Sequence, residues 1–205
     1  MADNPAFALP NVHPSFPNVV LIGDSISIGY TLPVREQLDG IANVFRPLIN
    51  CGPTIRGLEQ LEEWLGDRVW SIIHFNFGLH DLKYIDETGQ MANPPESGSQ
   101  HVPIDQYEQN LNQITLRLLE TKARIIWCST TPVPDGSNGR MKGDADRYNE
   151  AASRVATTHD LAVNDLYSFA LRRLDSIQLP ANVHFTEDGS AILGSQVVSR
   201  IREEM

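Results

Sequence analysis

The sequence predicts an α/β fold of three layers, with helices on both faces of a parallel sheet of about five strands. Three observations predict it. Short apolar runs recur along the chain and end at glycine or small polar residues, as buried strands do. Stretches of helical period lie between them, and that alternation implies parallel pairing with right-handed crossovers. The length, 205 residues with 41% hydrophobic and 20% charged side chains, suits one core and a single domain, 1–205.

The elements follow in order. Residues 1–17 are rich in Pro and Asn and read as an irregular arm. Asn18-Val19-Val20-Leu21-Ile22 is a buried strand closed by Gly23, and a helix runs from there to about Leu38. Residues 44–49 read as a second strand, edge-like because Pro47 lacks an N–H. A short helix at 59–65 precedes the strongest strand signal, 69–77, which ends at Gly78. Residues 86–103 are polar and rich in Gly, Pro and Ser, and read as a loop. Asp105 with Glu108 reads as a helix start, and Tyr107, Leu111, Ile114 and Leu118 then share one face. Arg124-Ile125-Ile126-Trp127-Cys128 is a further buried strand, followed by a loop at 130–142 and a helix over 144–158. Leu161-Ala162-Val163 is a last short strand. The final helix starts near Thr186, with Leu193, Val197 and Ile201 facing inward.

Charge narrows the partners. The net charge of −10 repels phosphate backbones and anionic headgroups, which argues against nucleic acid and membranes. A small-molecule or carbohydrate ester meets no such barrier. Arg140 and Lys142 are basic points that either bind a negative substrate group or are simply solvated. Two cysteines, Cys51 and Cys128, are too few for a disulfide framework and read as reduced core thiols. No apolar run has signal-peptide or membrane-span length. The chain as it stands reads as cytoplasmic, or as periplasmic or secreted if a leader has been removed. The loop at 86–103 is long enough for a lid or a homo-oligomer contact.

In open parallel sheets, sites gather at the carboxyl ends of the strands. Gly23-Asp24-Ser25, Asn50-Cys51-Gly52, Gly78-Leu79-His80-Asp81 and Ser129-Thr130-Thr131 all follow predicted strands and share one rim. Ser25, in a turn from strand to helix, exposes its hydroxyl where a helix start favours an anion; taken alone, Gly-Asp-Ser reads more readily as a simple helix cap. His184, in a loop before a helix, can act as a base near neutral pH. His, Cys, Asp and Glu show no metal-ligand spacing, and no phosphate-cradling glycine loop is present, so no metal and no cofactor are inferred.

Val20-Leu21-Ile22-Gly23-Asp24-Ser25-Ile26-Ser27 resembles the first block of the GDSL, or SGNH, hydrolases. The resemblance extends to Asn50-Cys51-Gly52, to Gly78-Leu79-His80-Asp81 and to Ala181-Asn182-Val183-His184, and spans 19–194. It implies the flavodoxin-like SGNH fold and a serine esterase. Ser25 is then the nucleophile, His184 the base, and the Ser25 and Gly52 N–H groups with His80 form the oxyanion hole. The substrates it implies are short-chain or O-acetyl esters of carbohydrates, with a lipid esterase or thioesterase as the rival enzyme. The chain departs from the pattern twice. His80 replaces an asparagine, and is either a donor or a loop brace. Ala181 replaces the acid that orients the histidine, which leaves the Asn182 side chain or a main-chain carbonyl to do so. These departures also leave room for a non-catalytic carbohydrate-binding protein. Asp24 and Asp81 read as structural, holding turns through backbone N–H groups.

Overall fold

The computed structural model of the protein describes residues 4–205. Five parallel strands form the sheet, in the order β2-β1-β3-β6-β7: β1 Asn18–Ile22, β2 Asn43–Phe45, β3 Ile72–Phe75, β6 Arg124–Cys128 and β7 Ala162–Asn164. A two-stranded antiparallel hairpin, β4 Tyr84–Ile85 with β5 Ser99–Gln100, lies apart from it. The helices are α1 Ser25–Gln37, α2 Thr54–Leu65, α3 Ile104–Glu120, α4 Asp144–Thr158, α5 Leu166–Leu171, α6 Leu174–Ile177 and α7 Glu187–Glu203. α1 packs on α7 in one layer, while α2, α3 and α4 pack side by side in another.

Burial explains why the sheet takes this order. Val19, Val20, Leu21 and Ile22 of β1, and Ile72, Ile73 and Phe75 of β3, are buried on both faces, which only central strands of a doubly covered sheet allow. Each such side chain contributes about 1.5–3 kcal/mol, so a register slip would cost far more than the strand hydrogen bonds alone. The chain runs from β1 outward to β2, then returns to the other side of β1 with β3. The strand order therefore reverses between β1 and β3, the point where sheets of this kind bind ligands.

Several boundaries differ from the sequence reading. β2 stops at Phe45, because Arg46 turns inward to bond Pro47 and Ile49 carbonyls and Pro47 cannot extend a ladder. β3 begins only at Ile72: Val69 is exposed, and the Trp70 indole donates to the Leu65 carbonyl. The short helix expected at 59–65 starts five residues earlier, at Thr54, and β7 lies one residue later than 161–163. Asp105 is not the cap of α3. Pro103 holds that position without a side-chain bond, and Asp105 lies in the first turn. The stretch 86–103 contains β5, and the two short helices α5 and α6 fill 166–177, where no element was expected. Residues 4–17, the described part of the arm, are irregular apart from a turn of 3-10 helix at Pro5–Phe7, and are tied down where Asn43 exchanges hydrogen bonds with His13. Both cysteines are free and buried, and burial pushes the Cys51 thiol up to about 12. Among the described residues no helix is long and apolar enough to cross a membrane.

The α1–α7 contact matters most for the site, because Ser25 opens α1 and His184 lies three residues before α7. Small residues let the two helices approach. A Cβ at Gly29 would lie 3.0 Å from Ser190 Oγ, and one at Gly194 would lie 3.0 Å from Pro33 Cβ. A side chain at either glycine would push the two helix starts apart.

Candidate active site

β1 delivers the chain to the rim, and Asp24 turns it into α1. Its side chain accepts the Ile26 N–H at 2.9 Å, and its carbonyl accepts the Ser27 hydroxyl at 2.9 Å. Beneath the turn, the buried Arg46 guanidinium donates to Ser27 Oγ (3.1 Å), Thr31 Oγ1 (3.0 Å) and the Gly23 carbonyl (3.4 Å). This leaves Ser25 as the first helical residue, half-buried, and its N–H finds no acceptor among the described residues. A helix start with a free N–H is suited to an anion.

Ser25 Oγ lies 2.9 Å from His184 Nε2. The histidine sits on a narrow hairpin at 177–186. There the Leu179 N–H donates to the His184 carbonyl (3.0 Å), and the Thr186 N–H donates to the Ile177 carbonyl (2.9 Å). Gln178, buried in this hairpin, donates from Nε2 to the carbonyls of Val183 (3.2 Å) and Pro132 (2.9 Å), and so pins it to the loop after β6. Thr186 then caps α7 through the Gly189 N–H at 2.9 Å.

The third member of the group is Asn182. Its Oδ1 accepts the His184 backbone N–H at 3.0 Å and lies 2.8 Å from Nδ1. An atom that accepts a backbone N–H is an oxygen, so the ring nitrogen bonded to the same atom carries the proton. Nε2 is then unprotonated and faces the Ser25 hydroxyl as an acceptor. Ala181 takes no part. It occupies a left-handed turn (φ 49°), and a Cβ built at Gly136 would lie 3.2 Å from its own Cβ, so its side chain faces the 134–137 loop.

The candidate oxyanion groups converge from two further strand ends. Gly78 has φ +153°, and a Cβ there would lie 2.1 Å from Thr130 Oγ1, so only glycine lets the β3 and β6 ends meet. The next turn fixes Asp81, whose Oδ1 accepts both the N–H (2.8 Å) and the hydroxyl (2.5 Å) of Thr54. It thus bonds the start of α2, consistent with a structural part. Burial pushes its carboxyl up to about 7, against the pull of these Thr54 bonds. His80 presents its imidazole half-buried. Its carbonyl is bonded by His101 Nδ1 at 3.1 Å, and its ring nitrogens have no partner among the described residues. Desolvation lowers its pKa to about 4, with Arg140, Lys83 and Arg56 adding to the effect against the pull of Asp24, so it is neutral at ordinary pH. Gly52 differs from expectation in one respect. Its N–H already donates to Asn50 Oδ1 at 3.0 Å. To serve an oxyanion, it must exchange that acceptor for the substrate.

Sequence reasoning missed two residues that hold the site. Arg46 had no signal beyond a basic residue before proline, and Gln178 lay in an unread segment. Arg140, left open between binding and solvation, is docked: its Nε donates to the Leu79 carbonyl at 2.9 Å.

No protein-family model matches the chain, and no curated protein does. Solved structures do. An acetyl xylan esterase superposes with a TM-score of 0.71 at 16% identity, covering 89% of this chain and 98% of that one. An acetylxylan esterase from Geobacillus stearothermophilus gives 0.70 at 18% identity, covering 90% and 94%. A lipase/acylhydrolase from Enterococcus faecalis gives 0.69 at 19% identity, covering 92% and 96%. The chain therefore has the SGNH, or GDSL-like, hydrolase fold, a three-layer αβα sandwich with a parallel five-stranded sheet.

Proposed function

We propose that the protein is a serine esterase that hydrolyses short-chain carboxylic esters, O-acetylated carbohydrates foremost, through an acyl-enzyme. The observation that carries this reading is the relay of Asn182 Oδ1, His184 and Ser25 Oγ at 2.8 and 2.9 Å, open at the rim of the sheet. Its Nε2 is the acceptor, as a general base requires. The Ser25 oxygen attacks the ester carbonyl carbon while its proton passes to Nε2. The oxygen of the tetrahedral intermediate takes the negative charge and meets the free Ser25 N–H and the His80 imidazole, with Gly52 joining once Asn50 moves away. Collapse expels the alcohol, which takes the proton from His184, and leaves the acyl group on Ser25. Water then attacks, with His184 again as base, and the acid departs. The acetyl preference draws support from the two acetylxylan esterases among the structural neighbours.

A fluorophosphonate probe and a panel of aryl esters of rising chain length test this. The expected result is labelling at Ser25 and turnover that is highest for acetate. Ser25→Ala should lose both, with turnover down about 10³-fold or more. A folded parent that is never labelled and turns over no ester would make the protein a non-catalytic binder.

A further inference from the structure

Three cations stand on the oxyanion side of Ser25 without carboxylate partners. The Arg56 guanidinium lies over Gly52: a Cβ at that glycine would be 3.1 Å from Arg56 Nη1, which itself donates to the Asn50 carbonyl at 3.1 Å. Arg140 is fixed on the Leu79 carbonyl, next to His80. Lys83 follows His80 by three residues, and His101 links the two, donating its backbone N–H to the Lys83 carbonyl (2.8 Å) while its ring bonds the His80 carbonyl. Among the described residues, the ion pairs of this protein involve Arg117, Arg147, Arg154 and Arg200; none involves Arg56, Lys83 or Arg140.

Two of the three cations are partly withdrawn from water. Burial lowers the pKa of Lys83, and its neighbours Arg140 and Arg56 lower it further against the pull of Asp81. Burial lowers that of Arg140 too, with only Asp24 opposing. Asp24 is itself occupied in capping α1, and Asp81 is bonded to Thr54. No carboxylate lies within ion-pair distance of any of the three among the described residues, and an anion placed between them would supply that contact.

We propose that Arg56, Lys83 and Arg140 form an anion subsite beside the oxyanion donors, and that the ester cleaved at Ser25 carries a carboxylate. The proposal rests on the esterase reading and narrows it to esters of acidic molecules. The carboxylate could belong to the alcohol, as in an acetylated uronic acid, or to the acyl group, as in a dicarboxylic monoester.

Two matched pairs of esters separate these sources. One is an acetylated methyl glucuronide against the acetylated methyl glucoside. The other is mono-4-nitrophenyl adipate against 4-nitrophenyl hexanoate. At low salt the anionic member of one pair should have the higher kcat/KM, by about 10-fold for several partly exposed pairs acting together. The advantage should shrink in molar salt, where the screening length is about 3 Å. It should fall toward parity in Arg56→Gln, Lys83→Gln and Arg140→Gln. Arg172→Gln, which removes an exposed charge at the end of α5, should keep it. Parity or a neutral preference in both pairs, with Ser25 still labelled by fluorophosphonate, would overturn the subsite and leave the esterase intact. If Ser25 is never labelled, the esterase reading fails instead, and calorimetric binding of the glucuronide against the glucoside decides the subsite: tighter binding of the glucuronide upholds it, and equal binding overturns it.

Discussion

Asn182 Oδ1 serves His184 twice, accepting its backbone N–H at 3.0 Å and its Nδ1–H at 2.8 Å. One amide oxygen thus fixes both the turn and the tautomer of the ring. A neutral acceptor orients the imidazole but stabilises the imidazolium less than a carboxylate does. Asn182→Ala should therefore lower kcat by about 10²-fold. Asn182→Asp should raise it severalfold and move the acid limb of the kcat/KM profile to higher pH, because a carboxylate favours the protonated ring. Ala181→Asp should bring no gain, since that side chain faces Gly136. A rate increase in Ala181→Asp, with none in Asn182→Asp, would show that the acid belongs at 181.

His80 should matter to rate rather than to folding. Its ring nitrogens have no partner among the described residues, and burial, which lowers its pKa to about 4, favours the neutral ring. His80→Ala should cost about 10²-fold in kcat, the scale of one oxyanion donor. His80→Asn should recover part of the loss. An unchanged kcat with a lowered melting temperature would make His80 a brace for the loop.

Asp81 predicts a pH dependence of stability. Its carboxyl is raised to about 7 by burial, and its Oδ2 has no hydrogen-bond partner among the described residues. Between the unfolded value and about 7, the folded state binds more protons than the unfolded one, so this residue makes stability fall as pH rises through that window. His74, lowered to about 3 by burial, and His80, lowered to about 4, act the other way: their contribution is lost as pH falls from the unfolded value. Asp81→Asn should remove only the first effect. In urea titrations from about pH 4.5 to 7.5, the variant should gain stability relative to the parent as pH rises. Parallel curves would mean that Asp81 titrates alike in both states.

Gln178 is the remaining test. Gln178→Ala removes the bond that ties the His184 hairpin to the loop after β6 and the one that braces the hairpin internally, and leaves the Pro132 and Val183 carbonyls without this donor. Stability should fall by about 1–3 kcal/mol. Turnover should fall by more than the loss of folded protein explains, because the base is no longer held against Ser25. A specific activity per folded molecule equal to the parent's would assign Gln178 to stability alone.

The sheet was legible because apolar runs such as Val19–Ile22 are buried on both faces, which leaves no alternation to misread. Their ends were less so. β2 stops early because Arg46 leaves the ladder for the Ser25 turn, a tertiary contact that no local pattern carries. The residues of the candidate site were legible by their order along four strand ends. Their relations were not: that Asn182 rather than a carbonyl meets Nδ1, or that Asn50 occupies the Gly52 N–H, depends on turn geometry at single residues. Arg56, Lys83 and Arg140 lie far apart in sequence and come to one rim only because three crossovers return there.

The Ser25–His184 hydrogen bond joins residues 159 positions apart. Bringing them together requires α7 to dock on α1, one of the last steps a growing chain can take, after every strand of the sheet exists. Local elements form early, and contacts of such long separation form late. A nascent or truncated chain that ends before the hairpin at 177–186 would bury much of its sheet and still have no base beside its serine. On the proposed esterase reading, the hydroxyl would gain its base only when the chain has folded through this hairpin, and regained esterase turnover on refolding should lag behind the recovery of helical circular dichroism.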